Sequence, residues 1–278
     1  MKESKLVKKI KRLLKQAGLP RWLHRFGPKK YEFWQHFMAL LVKESCKMSY
    51  RRVSKFLNEL GFRVPTYSAL AKMVKRLPGR LLQLLLAATT RFKQVIVAAA
   101  DATFFPRTNP SFHYLKRCKR KMPLKKAVQL TALFDTRRKQ WLAASPRLKR
   151  ASEPKQAIRL LEQPFNIKNF VGDKANDSEE LFKALRKRGV QAHVPVKKNI
   201  RRGLQRKFFQ ARFRTRTYHR RSLVEAGFSS LKRKHGASVS NKRVRTIKNQ
   251  LMFRLINQNA KILPNRKDFQ QSPTFTKY

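Results

Sequence analysis

Near residue 94 the spacing of apolar residues changes, and few folds accommodate that change. Before it, Phe33, Trp34, Phe37, Met38, Leu41 and Val42 recur at three-four spacing. That period predicts a helix over 31–48. After it, Gln94-Val95-Ile96-Val97-Ala98-Ala99-Ala100 runs apolar without a helical period and stops on Asp101. Such a short run reads as a buried strand. A helical first third joined to a strand-bearing remainder is an α/β protein with an all-helical N-terminal region.

The first third divides further. Residues 1–27 are basic, with Leu6, Ile10, Leu13 and Leu14 at helical spacing. This suits a locally packed amphipathic helix and a DNA-contacting arm equally well. A second helix is expected over 49–60, ended by Gly61. Thr66 is placed to cap a third, over 67–77. Helix, short glycine-bearing turn, helix is the pattern of a helix-turn-helix over 49–77. Tyr67, Ser68 and Lys72 then start a recognition helix, where base or phosphate contacts form. A plain helical hairpin is the competing reading. Pro78-Gly79 ends the unit, and a connecting helix follows over 80–93.

Beyond residue 94, strands and helices alternate. Strands are expected at 94–100, 127–134 and 140–144, the last two forming a hairpin around the polar turn 135–138. A helix over 153–161 follows, then a short strand at 169–172 that stops on Asp173, then a helix over 179–188. A fifth strand covers 190–196. The basic stretch 197–217, a helix around 218–234 and a last amphipathic helix over 244–263 complete the order. By analogy this order resembles an RNase H-like catalytic core. The expected division is a helical DNA-binding region over 1–93, a catalytic domain over 94–263 and a mobile tail over 264–278.

Charge narrows the partner. The 278 residues carry 68 Lys+Arg against 14 Asp+Glu, a formal net charge of +54. Such an excess favours a polyanion. Double-stranded DNA is the first candidate, because its phosphates release counterions on binding. The 41% hydrophobic content suits a packed core rather than a disordered basic tail. No apolar run nears the ~20 residues that cross a bilayer, and Leu81–Ala88 is too short, so no membrane partner is expected. The N-terminus has no signal-peptide core. Cys46 and Cys118 lack metal-ligand spacing and read as reduced thiols. The expected location is the cytoplasm, at the nucleoid. Basic stretches 116–126 and 197–216 are candidate DNA-backbone surfaces, the second interleaved with Phe208, Phe209 and Phe213.

So few acids allow each to be weighed. Glu3, Glu32, Glu44 and Glu59 lie on N-terminal helices and read as surface charges or local ion pairs. Asp135 belongs to a turn, and Glu153 and Glu162 flank a helix. Asp177, Glu179 and Glu180 sit at a helix start, where negative charge suits the macrodipole. Asp101, Asp173 and Glu225 lack such explanations. The two aspartates follow apolar strands, where sites of open α/β sheets gather. Glu225 is isolated: no Asp or Glu lies between Glu180 and Glu225, or between Glu225 and Asp268. For any one of them a salt bridge to Lys or Arg is the ordinary alternative. All three together can hold Mg²⁺ or Mn²⁺, hard cations that take oxygen ligands. Two ions about 4 Å apart suit phosphodiester cleavage. The three carboxylates are therefore expected to converge within metal-bridging reach.

The stretch Tyr218–Lys234 adds a stripe. On a helix, Tyr218, Arg221, Glu225 and Lys232 fall at roughly 0°, 300°, 340° and 320°, within about 60° of arc. Val224, Phe228 and Leu231 lie beside them at roughly 240°, 280° and 220°. An apolar side can thus rest on the sheet while the Glu225 edge faces the site. Arg221 and Glu225 are also an ordinary i,i+4 pair.

These residues resemble the DDE transposases of prokaryotic insertion sequences, in the group with a tyrosine, arginine, glutamate and lysine motif. Two residues separate Tyr218 from Arg221, three separate Arg221 from Glu225, and six separate Glu225 from Lys232, as in that group. Val171-Gly172-Asp173-Lys174 resembles the second-aspartate segment, with Ala175 and Asn176 in place of the usual Gly and Tyr and Asp177 kept. Asp101-Ala102-Thr103 resembles the first. His193–Asn199 is similar to the fifth strand and its exit. The resemblance spans about residues 94–262. It implies an RNase H-like core and catalytic, metal-binding Asp101, Asp173 and Glu225. It also implies cleavage and strand transfer at terminal inverted repeats, with Tyr218, Arg221 and Lys232 on the end DNA. A homodimer on DNA is expected. A catalytically inactive DNA-binding protein of the same fold, and an RNase H-like nuclease, are the other readings.

Overall fold

A computed structural model describes residues 4–23, 29–90, 94–108, 117, 127–197 and 203–260. The chain begins with five helices: α1 (Lys5–Gln16), α2 (Phe33–Ser45), α3 (Tyr50–Glu59), α4 (Tyr67–Arg76) and α5 (Gly79–Ala88). Capping sets the start of two of them. The Ser4 hydroxyl accepts from Val7 N–H and the Ser49 hydroxyl from Arg52 N–H. Thr66 stands at the start of α4 but makes no such cap; its hydroxyl pairs with that of Ser68 at 3.2 Å. Gly61 closes α3 with φ +77°, a conformation that suits glycine. Helix α2 is buried along nearly its whole length, and α1, α3 and α4 pack around it.

The remainder is an α/β layer structure with five strands: β1 (Gln94–Phe105), β2 (Val128–Asp135), β3 (Gln140–Arg147), β4 (Asn166–Val171) and β5 (Gln191–His193). Their order across the sheet is β3-β2-β1-β4-β5. The first three are antiparallel neighbours, while β4 and β5 run parallel to β1. This is the RNase H-like arrangement. The β2–β3 turn is tied by the Asp135 carboxylate, which accepts from the N–H groups of Arg137 and Arg138.

Helices α6 (Glu153–Leu161) and α7 (Glu179–Lys187) cover one face of the sheet, with α8 (Leu204–Ala211) beside them. After α9 (Thr215–Tyr218) and a 3₁₀ turn (His219–Arg221) come α10 (Ser222–His235) and α11 (Val244–Ala260), which cover the other face. The N-terminal helices share that second core. Helix α11 joins them to the sheet. Asn257 Nδ2 donates to Leu41 O of α2, and Asn249 Nδ2 to Val74 O and Leu77 O at the end of α4. Asn259 brackets Trp141 of β3, accepting from its N–H and donating to its carbonyl.

Three elements depart from expectation. Strand β1 runs four residues past Asp101, because its antiparallel pairing with β2 continues to Phe105–Val128. Helix α11 is buried on most sides rather than amphipathic, since both the helical region and the sheet pack on it. The basic stretch after residue 203 folds into α8, where Phe209 is buried against Phe182. Phe208 lies under the guanidinium groups of Arg186 and Arg212. The strand and helix ends otherwise agree to within a few residues, save that β5 is shorter. No helix among the described residues is long and apolar enough to cross a membrane. The segment Leu81–Ala88 lies in α5, with Leu82, Leu85 and Leu86 in the core. Stretch 116–126 apart from Arg117, residues 198–202 and the tail 264–278 lie outside the described residues.

Candidate active site

Side chains alternate across a strand, so Val97, Ala99 and Asp101 share one face of β1. Val97 and Ala99 belong to the core beneath α10 and α11, which places Asp101 on that side. The parallel pairing of β1 with β4 ends at Ala99–Val171. Two residues further on, each chain presents an aspartate: Asp101 on β1 and Asp173 just past β4. The antiparallel pairing on the other side of β1 continues. Asp101 therefore stands where β1 and β4 part, with backbone support on one flank and an opening on the other.

The open edge holds both aspartates in set orientations. Asp101 Oδ1 accepts from Ala102 N–H at 2.9 Å. Asp173 Oδ1 caps the short turn Lys174–Asn176, accepting from Ala175 N–H at 3.0 Å and Asn176 Nδ2 at 2.9 Å. Asn176 fills the space beside Gly172, where a Cβ would meet the Asn176 side chain at 3.0 Å. Residue 176 thus steadies Asp173 directly. Asp177 turns the other way, receiving Lys197 N–H and Arg206 Nε.

Helix α10 brings the third acid. Val224, Phe228 and Leu231 are buried on the sheet, with the Phe228 ring 4.7 Å from Trp141. Gly227 permits that closeness: a Cβ there would lie 3.2 Å from the Trp141 ring and 3.3 Å from Phe134. Glu225, one step around the helix, is exposed and paired with Arg221 at 2.9 Å. The ordinary i,i+4 pair is thus formed. The charges of both partners act on Asp101. Its carboxyl is raised above the usual carboxylate range, chiefly by burial, with Asp173 and Glu225 adding to the rise and Ala102 N–H and Arg221 opposing it.

The stripe along α10 is interrupted: Tyr218 ends α9 and Arg221 lies in the 3₁₀ turn. Tyr218 packs against Phe213, centroids 5.6 Å apart. Lys232 Nζ sits over Phe105, the last residue of β1, at 5.3 Å. Phe105 follows Asp101 by four residues and Lys232 follows Glu225 by seven, about 13 Å of strand against about 10 Å of helix. In the helical region, Tyr67 is 47% exposed and stacked by Arg51, and Ser68 and Lys72 are exposed beside it.

The donors at the edge are all carboxylate oxygens, which suits a hard divalent cation. Burial raises the Asp101 carboxyl most, with Asp173 and Glu225 adding to it, and a bound cation would offset both. Convergence is incomplete, however. Among the described residues no three His, Cys, Asp or Glu side chains close on one ion position. Each of the three carboxylates is engaged by protein, Asp101 by Ala102 N–H, Asp173 by the 174–176 turn and Glu225 by Arg221.

Sequence reasoning passed over one acid at this edge. Glu153 begins α6, and its Oε2 is buried without a hydrogen-bond partner. Its carboxyl is raised by burial first, then by Asp173 and Asp101, with Arg150 and Arg221 opposing. A first-turn glutamate has a sufficient local explanation, so only the fold reveals its surroundings.

The profile of the family described as "Transposase DDE domain" matches residues 94–260. No curated protein sequence matches. Two solved structures are similar at low identity. One is a cryo-EM structure of a piggyBac transposase synaptic complex with hairpin DNA, at 11% identity and TM-score 0.47, covering 93% of this chain and 72% of that one. The other is a crystal structure of a pre-cleavage Mos1 transpososome, at 12% identity and TM-score 0.23, covering 88% and 81%.

Proposed function

The chain belongs to the transposase DDE domain family and is a transposase acting on DNA, and from that premise we propose that Asp101, Asp173 and Glu225 are its catalytic and metal-binding set. The observation that carries this reading is the placement of Asp101. It stands where β1 and β4 part, in the field of both other acids. Two Mg²⁺ or Mn²⁺ ions held by these residues would activate the attacking oxygen and stabilise the leaving one. The substrate is double-stranded DNA at the inverted-repeat ends of an insertion sequence, cut and then joined to target DNA.

The protein's own groups have distinct tasks. Arg221 screens Asp101 and holds Glu225 in place until a ligand draws it inward. It is also placed to meet a phosphate. Lys232, beyond Phe105, extends the positive edge along the direction a bound strand would follow. Tyr218 offers a flat face to end DNA. These four side chains reproduce the spacing of the tyrosine, arginine, glutamate and lysine group. The helical region 1–93 is proposed to bind DNA through α3 and α4, with Tyr67, Ser68 and Lys72 exposed at the start of the second. A homodimer would hold two ends together.

A reading without chemistry, DNA binding alone, has one observation in its favour: among the described residues no three carboxylates close on one point as they stand. A single assay separates the two. The purified chain is incubated with labelled inverted-repeat DNA and Mg²⁺ or Mn²⁺. Cleavage by the wild type, lowered more than about a hundredfold in Asp101→Ala, is expected, because outer-shell changes alone cost 10–100-fold. Equal cutting by both proteins would rule out the catalytic assignment. Binding to the same DNA should weaken steeply with salt in both proteins.

A further inference from the structure

A chain of side-chain hydrogen bonds crosses three strands and ends at the segment that carries Tyr218, Arg221 and Glu225. It starts on β1, where Ile96 O accepts from Asn169 Nδ2 of β4 at 3.0 Å. Asn169 Oδ1 meets His193 Nε2 of β5 at 3.2 Å. His193 is fully buried, and its other ring nitrogen, Nδ1, accepts from Arg214 N–H at 3.1 Å. An imidazole that accepts at Nδ1 is neutral and carries its proton on Nε2, so it donates to Asn169. Burial first, and then Arg214, lower the His193 pKa, which favours that neutral form. Arg214 is the residue from which α9 starts. Next to it, the Phe213 ring neighbours both His193, with centroids 6.1 Å apart, and Tyr218, at 5.6 Å. From α9 the backbone passes through the 3₁₀ turn directly into α10, with no loop between. The place where Arg214 is held therefore sets where Tyr218 and Arg221 stand.

We propose that His193 is a positioning residue for DNA cleavage, one that sets Tyr218 and Arg221 against the edge bearing Asp101 and Asp173 through its bond to Arg214 N–H. The inference rests on the transposase reading of those residues. The anchor is referred to the right strands. Ile96 lies on the strand that continues to Asp101, and Asn169 on the strand that Asp173 follows by two residues. Histidine suits the task because its flat ring offers one donor and one acceptor at fixed positions. An apolar residue of similar size would fill the space but leave Asn169 Oδ1 and Arg214 N–H unmatched, and unmatched polar groups are costly when buried. The competing role is core filling alone, in which stability depends on His193 and the chemistry does not.

The test separates the two ring nitrogens. Asparagine places an amide oxygen near the position of Nδ1, and glutamine an amide nitrogen near that of Nε2. His193→Asn therefore keeps an acceptor for Arg214 N–H, whereas His193→Gln keeps only the donor to Asn169. Single-turnover cleavage of labelled inverted-repeat DNA with Mg²⁺ is measured on the full-length chain, at a temperature where urea unfolding shows every variant fully folded. His193→Gln should cut about tenfold or more slowly at saturating DNA, since a misplacement of about 1 Å can cost a hundredfold. His193→Asn should regain most of that rate. A double-mutant cycle, read in the rate and in the affinity for end DNA, shows what His193 acts through. Added to Tyr218→Ala/Arg221→Ala, His193→Gln should cost less than about twofold more, whereas core filling alone would give additive losses. Equal rates for His193→Asn and His193→Gln, or additive losses in the cycle, would overturn the role of His193 and leave that of Tyr218 and Arg221 standing. If Tyr218→Ala/Arg221→Ala cuts and binds as wild type does, the reading of the motif falls and His193 with it.

Discussion

Two groups of carboxylates with opposite surroundings lie in this molecule. At the junction of α2 and α11, Glu44 is closed in. Its Oε1 accepts from Lys43 Nζ, and its Oε2 from Gln250 Nε2 at 3.3 Å and Arg254 Nε at 3.5 Å. Arg254 in turn donates to Gly236 O and Ser238 O. At the parting of β1 and β4, Asp101 and Glu153 are raised by burial and by neighbouring acids, with Arg221 opposing at both, and Glu225 is half in water with Arg221. A chain with 68 cations could have neutralised either place. Where a carboxylate holds helices together, both oxygens are matched. Where the sheet opens, the acids face one another, an arrangement that suits an incoming cation better than it suits stability.

The largest effect should come from the closed group. Removing one partner of a buried pair costs about 3–5 kcal/mol, because the other charge stays buried. Glu44→Ala would strand Lys43 and Arg254, whose side chains are 9% and 5% exposed. Urea unfolding should report a loss of that size. The same measurement on Glu225→Ala should report at most about 1 kcal/mol, as exposed pairs do. Equal losses in the two variants would erase the distinction between the groups.

This contrast also shows what could be read in the sequence. Asp101 and Asp173 were legible because each follows an apolar run, and Glu225 because no acid lies near it. Their common location follows from the parallel register of β1 and β4. Glu44 and Glu153 were not legible, for different reasons. The partners of Glu44 on α11 lie more than two hundred residues away, so its helix looked like a surface one. Glu153 had a complete local explanation in the helix dipole, and only the docking of α6 beside Asp173 gives it another. The length of β1 was missed too, since Ala102-Thr103-Phe104-Phe105 carries no signal apart from its pairing with β2. Phe208, Phe209 and Phe213 looked like nucleic-acid contacts because they interleave with cations. In the fold they serve α7, α8, His193 and Tyr218.

A smaller effect should sharpen the open side alone. Gly227 lets α10 approach Trp141 and Phe134, whose rings meet tilted with centroids 4.6 Å apart. In Gly227→Ala the new methyl would press on both rings, and overpacking of this kind costs about 1–3 kcal/mol. The better helix propensity of alanine returns up to about 1 kcal/mol. A net loss of about 1–2 kcal/mol is expected in urea unfolding. Because α10 carries Glu225 and Lys232, DNA cleavage measured where the variant is fully folded should fall as well. Full activity in the folded variant would mean that the seat of α10 on the sheet does not position Glu225.

The smallest effect concerns pH, and here the two groups should pull in opposite directions. His235, buried against Glu44 O, is lowered to about 4, mainly by burial. A lowered histidine gives stability that is present above its ordinary value of 6.5 and is lost as pH falls toward 4. Asp101 is raised above its ordinary 3.8. A raised carboxyl gives stability that is present below that value and is lost as pH rises through the folded-state pKa. Chemical denaturation in chelator between pH 4 and pH 8 should separate the two. Asp101→Asn should match wild type at the acid end and become the more stable protein as pH rises. His235→Gln should lessen the fall on the acid side and leave the upper range unchanged. Added Mn²⁺ should cancel the advantage of Asp101→Asn, since the cation supplies to wild type the neutralisation that the substitution supplies by removing charge. An Asp101→Asn curve parallel to wild type at every pH would mean that the ionised carboxyl carries no cost at the open edge, and the comparison between the two groups would fail at its central point.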